Sequence, residues 1–360
     1  MEIELKRTSL HATHLQAGAK MLDFGGYDMP IEYQGVVAEH LAVRSECGIF
    51  DVSHMGKLRL SGTEVATELN QVLVSNVADL AIGTAQYSML LNETGGVVDD
   101  LLVYRTTESE IWIVPNASNA QLVFDTLRAL LATSVVVENL QDTHGIIAVQ
   151  GPKSSEILRS LGFDVELDYM QVAELVRSGE NLDSSLLCRS GYTGELGFEL
   201  ITPNQNLEVL WRDLEAAGAI PAGLGARDTL RTEMGYSLHG QDISPNISPI
   251  SAGLKWAIDF DSDFVGKAAL LEEISAPRKF RCALKLIDRG VPRSHMAVLS
   301  DGEVVGETTS GTFSPTLKTG IALALVEQKL ELGSIVEIDV RGRALKAEVV
   351  RLPFVQSNVR

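Results

Sequence analysis

The chain has 360 residues and carries 48 Asp plus Glu against 30 Lys plus Arg, a formal net charge of -18. Hydrophobic residues make up 45% and charged residues 22%, the balance of a folded chain long enough for two or three domains. So acidic a chain argues against general nucleic-acid binding, which needs a basic surface against phosphate.

Met1 to Ser9 is charged and has no apolar core, so no signal peptide is expected. His11–Met21 and Val36–Cys47 read as helices, separated by a turn at Gly25-Gly26 and Pro30. Lys57–Leu60 reads as a strand and Thr63 to about Val72 as a helix. Tyr87–Leu91, the turn Asn92-Glu-Thr-Gly-Gly96 and Val97–Tyr104 read as strand, turn, strand, because Asn and Gly supply positive φ cheaply. Ile111–Pro115 is a short strand, Asn119–Ala132 an amphipathic helix, and Val135–Val137 begins another strand. Gly145–Gln150 runs as a strand into Gly151-Pro152 and a helix. Ser184–Arg189 and Phe198–Ile201 are strands around a Gly-rich loop, followed by helices at Leu207–Ala217 and Ala226–Tyr236.

From Pro277 on the texture changes. Short strands at 282–287, 297–300, 303–308, 321–326, 335–340 and 344–351 alternate with Gly turns, which predicts a β-barrel or sandwich. This part holds 13 Lys/Arg and 9 Asp/Glu, so a mildly basic module follows a strongly acidic body. Strands alternating with helices and hairpins before it predict α+β rather than a doubly wound parallel sheet. No run of 18 apolar residues exists, so no membrane span is expected. Cys47, Cys188 and Cys282 are odd in number and far apart, and the seven histidines form no H-E-x-x-H. Neither a disulfide framework nor a metal site is expected, and buried thiols suit a reducing compartment.

Four stretches carry candidate chemistry. In Gly95-Gly-Val-Val-Asp-Asp-Leu101, two carboxylates open an apolar strand, and alternation sends Asp99 and Asp100 to opposite faces. One can enter a cavity, or the pair can be a turn cap and a solvated aspartate. Arg189-Ser-Gly-Tyr-Thr-Gly-Glu-Leu-Gly-Phe-Glu199 surrounds Tyr192 with glycines that admit a flat ligand, or it is a hairpin with a surface glutamate. Gly223-Leu-Gly-Ala-Arg-Asp228 opens a helix but lacks the third glycine and the βαβ context of a dinucleotide site. Arg227 in its first turn opposes the helix dipole, which suggests a specific task. Asp228, Arg231 and Glu233 read as a salt-bridged helix face. Thr308–Leu317 is polar and loop-like. Met55 reads as core, and His54 as a satisfied structural histidine.

Together these segments resemble the T-protein family, the aminomethyltransferases of the glycine cleavage system. The match runs from Gly18-Ala-Lys-Met-Leu-Asp-Phe-Gly-Gly26 and Phe50-Asp-Val-Ser-His-Met-Gly56 to Thr309-Ser-Gly-Thr-Phe-Ser-Pro-Thr-Leu317 and Pro353-Phe354, in the family's order. The resemblance implies three domains in a ring around a central folate cavity. Residues 1–50 with 140–245 would form one α+β domain, 51–139 with 246–276 a second, and 277–360 an antiparallel β-barrel. It implies a reaction in which a lipoylated H-protein presents an aminomethyl group, ammonia leaves, and tetrahydrofolate becomes 5,10-methylenetetrahydrofolate. The lipoyl group comes from the partner. No metal, nucleic acid or membrane takes part, and the cytoplasm is the expected compartment.

By that resemblance Asp100 is the catalytic carboxylate, Tyr192 contacts the pterin, Glu199 accepts from its N3–H and 2-amino group, and Arg227 completes the site. Met55, Tyr87, Asn116 and Tyr236 match positions that line the cavity. His239 departs from the family, where many members have Tyr. The basic C-terminal module would then offer an exit for the carboxylate tail of folate and a docking face for the carrier. Two other readings keep part of the pattern. One is a folate-dependent demethylase. The other is a folate-binding accessory protein of the iron–sulfur-assembly type, whose Cys-Tyr-x-Gly-Gln loop this chain replaces with Ser190-Gly-Tyr-Thr-Gly-Glu195.

Overall fold

The computed structural model describes residues 4–276 and 278–360. Pro277, where the C-terminal module was expected to begin, and the first three residues of the N-terminal stretch lie outside the described residues. Two sheets face each other across a shared apolar layer, and a closed barrel is braced against the helix Leu224–Met234, which packs into that layer.

The first sheet has six strands in the order Val172–Arg177, Glu180–Cys188, Gly197–Pro203, His144–Gln150, Gly48–Asp51 and Ile220–Pro221, antiparallel except for the last pair. His144–Gln150 is buried along its whole length, because both faces of the sheet are covered. Its Ile147 and Val149 point to a core with Trp211, and its Ile146 and Ala148 to a core with Phe50. The second sheet runs Thr84–Leu91, Val97–Arg105, Glu110–Pro115, Leu58–Ser61 and Val136–Asn139. Leu101, Val103, Ile111 and Ile113 pack against the helix Ala120–Leu130 through Val123 and Leu127. The alternate residues Tyr104, Trp112 and Val114 join the Phe50 core, so one apolar layer is shared by both sheets.

The barrel closes through Phe280–Leu286, Thr319–Val326, Glu303–Ser314, Ala297–Ser300, Ile335–Asp339 and Ala344–Val350, all pairs antiparallel. Its strand Glu303–Ser314 reaches across to the helix Leu224–Met234. Arg231 donates to Ser310 Oγ (2.8 Å) and to Asp242 (2.7 Å), while Glu233 accepts from Ser314 Oγ (2.5 Å) and pairs with Arg44 (2.7 Å). The chain beyond the barrel then returns to the Gly-rich loop, where Asn358 N–H donates to Gly194 O (2.7 Å) and Arg189 to Val359 O (2.9 Å).

Several expectations need correction. The first helix is only His11–Gln16. Gly18, at φ +74°, turns the chain into a hairpin, Lys20–Phe24 with Tyr27–Glu32, and Pro30 lies inside its second strand. The helix expected at 63–72 spans Val65–Leu69, and the strand Val172–Arg177 and helix Lys267–Ser275 were not anticipated. Thr308–Ser314 is the second half of a long barrel strand, not a loop, with Ser310 and Ser314 turned toward the helix it grips. Arg231 and Glu233 are ion-paired as expected, and both are buried.

Candidate active site

A cavity of about 1070 Å³ opens between the two sheets, the helix Leu224–Met234, the segment 235–259 and the first barrel strand. The eight residues that the resemblance assigns to the site lie on its wall: Met55, Tyr87, Asp100, Asn116, Tyr192, Glu199, Arg227 and Tyr236.

Asp100 stands where two strands part. The strand Glu110–Pro115 pairs with Val97–Arg105 only as far as Leu101↔Pro115. Asn116 therefore turns off beside the two aspartates instead of continuing the ladder. Its Nδ2 donates to Asp100 Oδ1 (2.7 Å), and the Tyr87 hydroxyl donates to Asp100 Oδ2 (3.0 Å). The Tyr87 ring stacks on Trp256, whose 71% exposure marks the rim of the cavity. Burial pushes the proton affinity of Asp100 up, and the bonds from Asn116 and Tyr87 offset only part of that. Asp99 is fully buried, not solvated. It accepts from the Asn116 N–H (3.0 Å), Asn116 Nδ2 (2.9 Å) and Asn119 Nδ2 (2.7 Å). Burial and the neighbouring Asp100 charge raise its pKa to about 7, against those three donors.

The Gly-rich loop shapes the opposite wall. Gln150 reaches beneath it, donating to Ser190 O (3.1 Å) and Phe198 O (3.2 Å) and accepting from Thr193 Oγ1 (2.8 Å). A Cβ at Gly191 would lie 2.1 Å from Gln150 Oε1, so only glycine admits this prop. The loop presents the Tyr192 ring between Tyr236, stacked at 5.6 Å, and the Arg227 guanidinium, 4.8 Å from its centroid. The Tyr192 hydroxyl is held by Ser237 O. Glu199 follows in the strand Gly197–Pro203, its Oε2 accepting from Ser190 Oγ (2.5 Å). Glu195 in the same loop is also buried, not at the surface, and is paired with Arg44 (2.9 Å).

Four buried polar atoms on this wall have no hydrogen-bond partner: Arg227 Nη1, Arg281 Nε, Ser237 Oγ and His54 Nδ1. Orphans of this kind cost of order 1–3 kcal/mol each unless a ligand or water meets them. Their number fits a large polar ligand. His54 was read as a satisfied structural histidine. It is buried, but burial drives its pKa down to about 3 and Nδ1 has no partner. Arg281 and Trp256 were missed, because a lone Arg in a barrel strand and a lone Trp in a connection carry no pattern. Cys47, Cys188 and Cys282 are free thiols, two of them buried.

Residues 10–262 match the family model described as the GCVT N-terminal domain, and residues 279–356 match the glycine cleavage T-protein C-terminal barrel domain. The chain is 47% identical over 366 residues to an aminomethyltransferase of Parafrankia sp. (strain EAN1pec), with 99% of this chain and 100% of that one covered. It is 45% identical over 365 residues to an aminomethyltransferase of Mycobacterium tuberculosis (strain ATCC 25618 / H37Rv), with 99% of each covered. The crystal structure of the glycine cleavage system aminomethyltransferase T from Bartonella henselae superposes with a TM-score of 0.93 at 35% identity, covering 99% of both chains.

Proposed function

The chain belongs to the glycine cleavage T-protein family, the aminomethyltransferases of the glycine cleavage system, and from that premise we propose how its cavity performs the transfer. The family uses tetrahydrofolate and works with a lipoyl-bearing H-protein. In this reading Glu199 receives the pterin edge, where a carboxylate can accept two parallel hydrogen bonds. Tyr192 and Arg227 flank the ring, and the unpartnered Arg227 Nη1 supports a ligand there. Tetrahydrofolate, when bound, supplies the amine that takes up the methylene carbon.

Asp100 acts at the other end of the cavity. The observation that carries the reading is its carboxylate on the cavity wall, with Oδ1 fixed by Asn116 and Oδ2 by Tyr87. So held, it faces the cationic aminomethyl group with fixed charge and orients the attacking amine. Its raised proton affinity favours acceptance of that amine's proton. Closure of the cavity by its bound ligands would keep water from the methylene and limit its loss as formaldehyde.

The division into 1–50 with 140–245, 51–139 with 246–276, and 277–360 belongs to the same proposal, supported by which strands share a sheet. A cytoplasmic site of action is likewise part of it. No helix among the described residues is long and apolar enough to cross a membrane.

Asp100→Asn keeps the shape and removes the charge. It should lower tetrahydrofolate-dependent ammonia release from aminomethylated H-protein by a factor of about 10² or more, with folate affinity retained. Near-normal transfer in that variant would sink the assignment. Wild-type protein that binds folate yet releases no ammonia from the carrier would favour the accessory-protein alternative.

A further inference from the structure

We propose that Asp99 is a positioning residue for Asp100, acting through Asn116, and that His239 fixes the far end of the same chain through Asn119. The proposal rests on the catalytic reading of Asp100.

The hydrogen bonds assign themselves in one direction. The Val97 carbonyl can only accept, so His239 Nε2, 3.2 Å away, carries its proton. In the neutral ring Nδ1 then accepts from Asn119 Nδ2 at 3.1 Å. The other hydrogen of that amide goes to Asp99 Oδ1 at 2.7 Å. Reversing Asn119 would set its carbonyl oxygen against a carboxylate oxygen. Asp99 in turn takes both the backbone N–H and the side-chain Nδ2 of Asn116, so this residue is held at two points. Its Nδ2 therefore faces Asp100 Oδ1 and cannot turn its own oxygen there without repulsion from both carboxylates.

A buried carboxylate is costly unless it is used. Asp99 has no exposure and forms no ion pair with Lys, Arg or His among the described residues. Its partners are Asn116, which it holds at two atoms, and Asn119, which steadies it from the other side. The chain also ties the two ends of the site together. His239 follows Tyr236, which stacks on Tyr192 at the ring-binding end, while Asn116 touches Asp100. Movement of the 235–241 segment on ligand entry would reach Asp100 by this route.

Asp99→Asn sets its amide nitrogen either against the Asn116 backbone N–H or against the side-chain nitrogens of both Asn116 and Asn119, so the hold on Asn116 is broken at one point or the other. It should lower the single-turnover transfer rate roughly ten- to hundredfold, with the folate Kd and carrier KM changed less than twofold. Because Asp99 acts through Asn116, the Asp99→Asn/Asn116→Ala double variant should be little slower than Asn116→Ala alone. His239→Leu should lose about tenfold. His239→Gln, which keeps one donor and one acceptor, should recover most of that. Fully multiplicative losses, or a leucine variant as active as glutamine, would overturn the proposal. A ligand-free readout separates it from the functional reading. By NMR, the side-chain amide of Asn116 should shift in Asp99→Asn and in His239→Leu but not in His239→Gln. If it does so while the wild type fails to transfer from carrier, the functional reading fails and the relay stands. An unmoved Asn116 amide sinks the relay whatever the activity.

Discussion

Asn116 Nδ2 lies 2.7 Å from Asp100 Oδ1 and 2.9 Å from Asp99 Oδ1, so one amide nitrogen holds two adjacent carboxylates. The arrangement exists because the strand Glu110–Pro115 ends one pair short of the aspartates, leaving Asn116 free to turn in beside them. Replacing Asn116 with Asp puts a third carboxylate where a donor is needed. The transfer rate should fall by about 10²–10³, the range seen when one preorganised donor is removed. Folate binding, measured by calorimetry, should survive. A variant within tenfold of wild type would show that Asp100 needs no donor at Oδ1.

Glu199 should behave in the opposite way. Glu199→Gln loses a charged acceptor at the ring end, worth roughly 1.5–3 kcal/mol. Folate Kd should therefore weaken by about tenfold or more, while the rate at saturating folate stays close to wild type. Unchanged affinity with a lowered rate would move Glu199 from ligand binding to chemistry.

Gly194 has φ +80°, and a Cβ there would lie 1.9 Å from Met234 Sδ. Gly194→Ala strains the backbone and pushes the loop off the helix Leu224–Met234. Because that loop carries Tyr192, folate affinity should drop together with a thermal midpoint lower by a few degrees. A fall in affinity without any fall in midpoint would mean that the loop adapts and the ligand alone feels the change.

Two groups of carboxylates give stability opposite pH dependences. Burial alone would raise Glu233, but His40, Ser314 and Arg44 outweigh it and hold its pKa at about 2. Burial would likewise raise Asp51, but His14, Ser53 and Thr8 bring it to about 2. Their contribution is present above about pH 4 and is lost as pH falls through about 2. Asp99, raised to about 7 by burial and by Asp100, contributes stability below about pH 4 that is lost as pH rises through 7. Denaturant midpoints from pH 2 to 9 should thus show an acid limb that Glu233→Gln flattens and a neutral slope that Asp99→Asn flattens. Glu233→Gln should also cost about 3 kcal/mol or more, since it leaves Arg44 and His40 buried with a weakened partner. An acid limb unchanged in Glu233→Gln would place its origin elsewhere.

The site was more legible than its framework. Asp100, Tyr192 and Glu199 stand in segments whose glycines and paired acids are odd for pure scaffold, and the full set of eight, all of which line the cavity, comes from the family resemblance. What local pattern could not give was why Asp99 is buried. Its partners Asn116, Asn119 and the distant His239 are assembled only by the fold. In the framework, strands with apolar alternation such as Val97–Arg105 were readable. The hairpin Lys20–Glu32 was not, since Lys20–Met21 continues the helical texture of His11–Gln16 and only Gly18 marks the break. Thr308–Ser314 looked like a loop because its polar side chains bond Arg231, Asp242 and Glu233 rather than water.

The bond from Arg189 to Val359 also sets an order of assembly. Its two ends lie 170 positions apart. At about 5–20 residues per second, roughly 10–30 s of synthesis separate the loop from the segment that fastens it. Arg281 and the barrel strand that seats Arg231 are likewise made after both sheets are complete. A nascent chain would therefore display folded sheets and an open, unfastened cavity, and would gain tight folate retention only as its last eighty or so residues emerge from the ribosome.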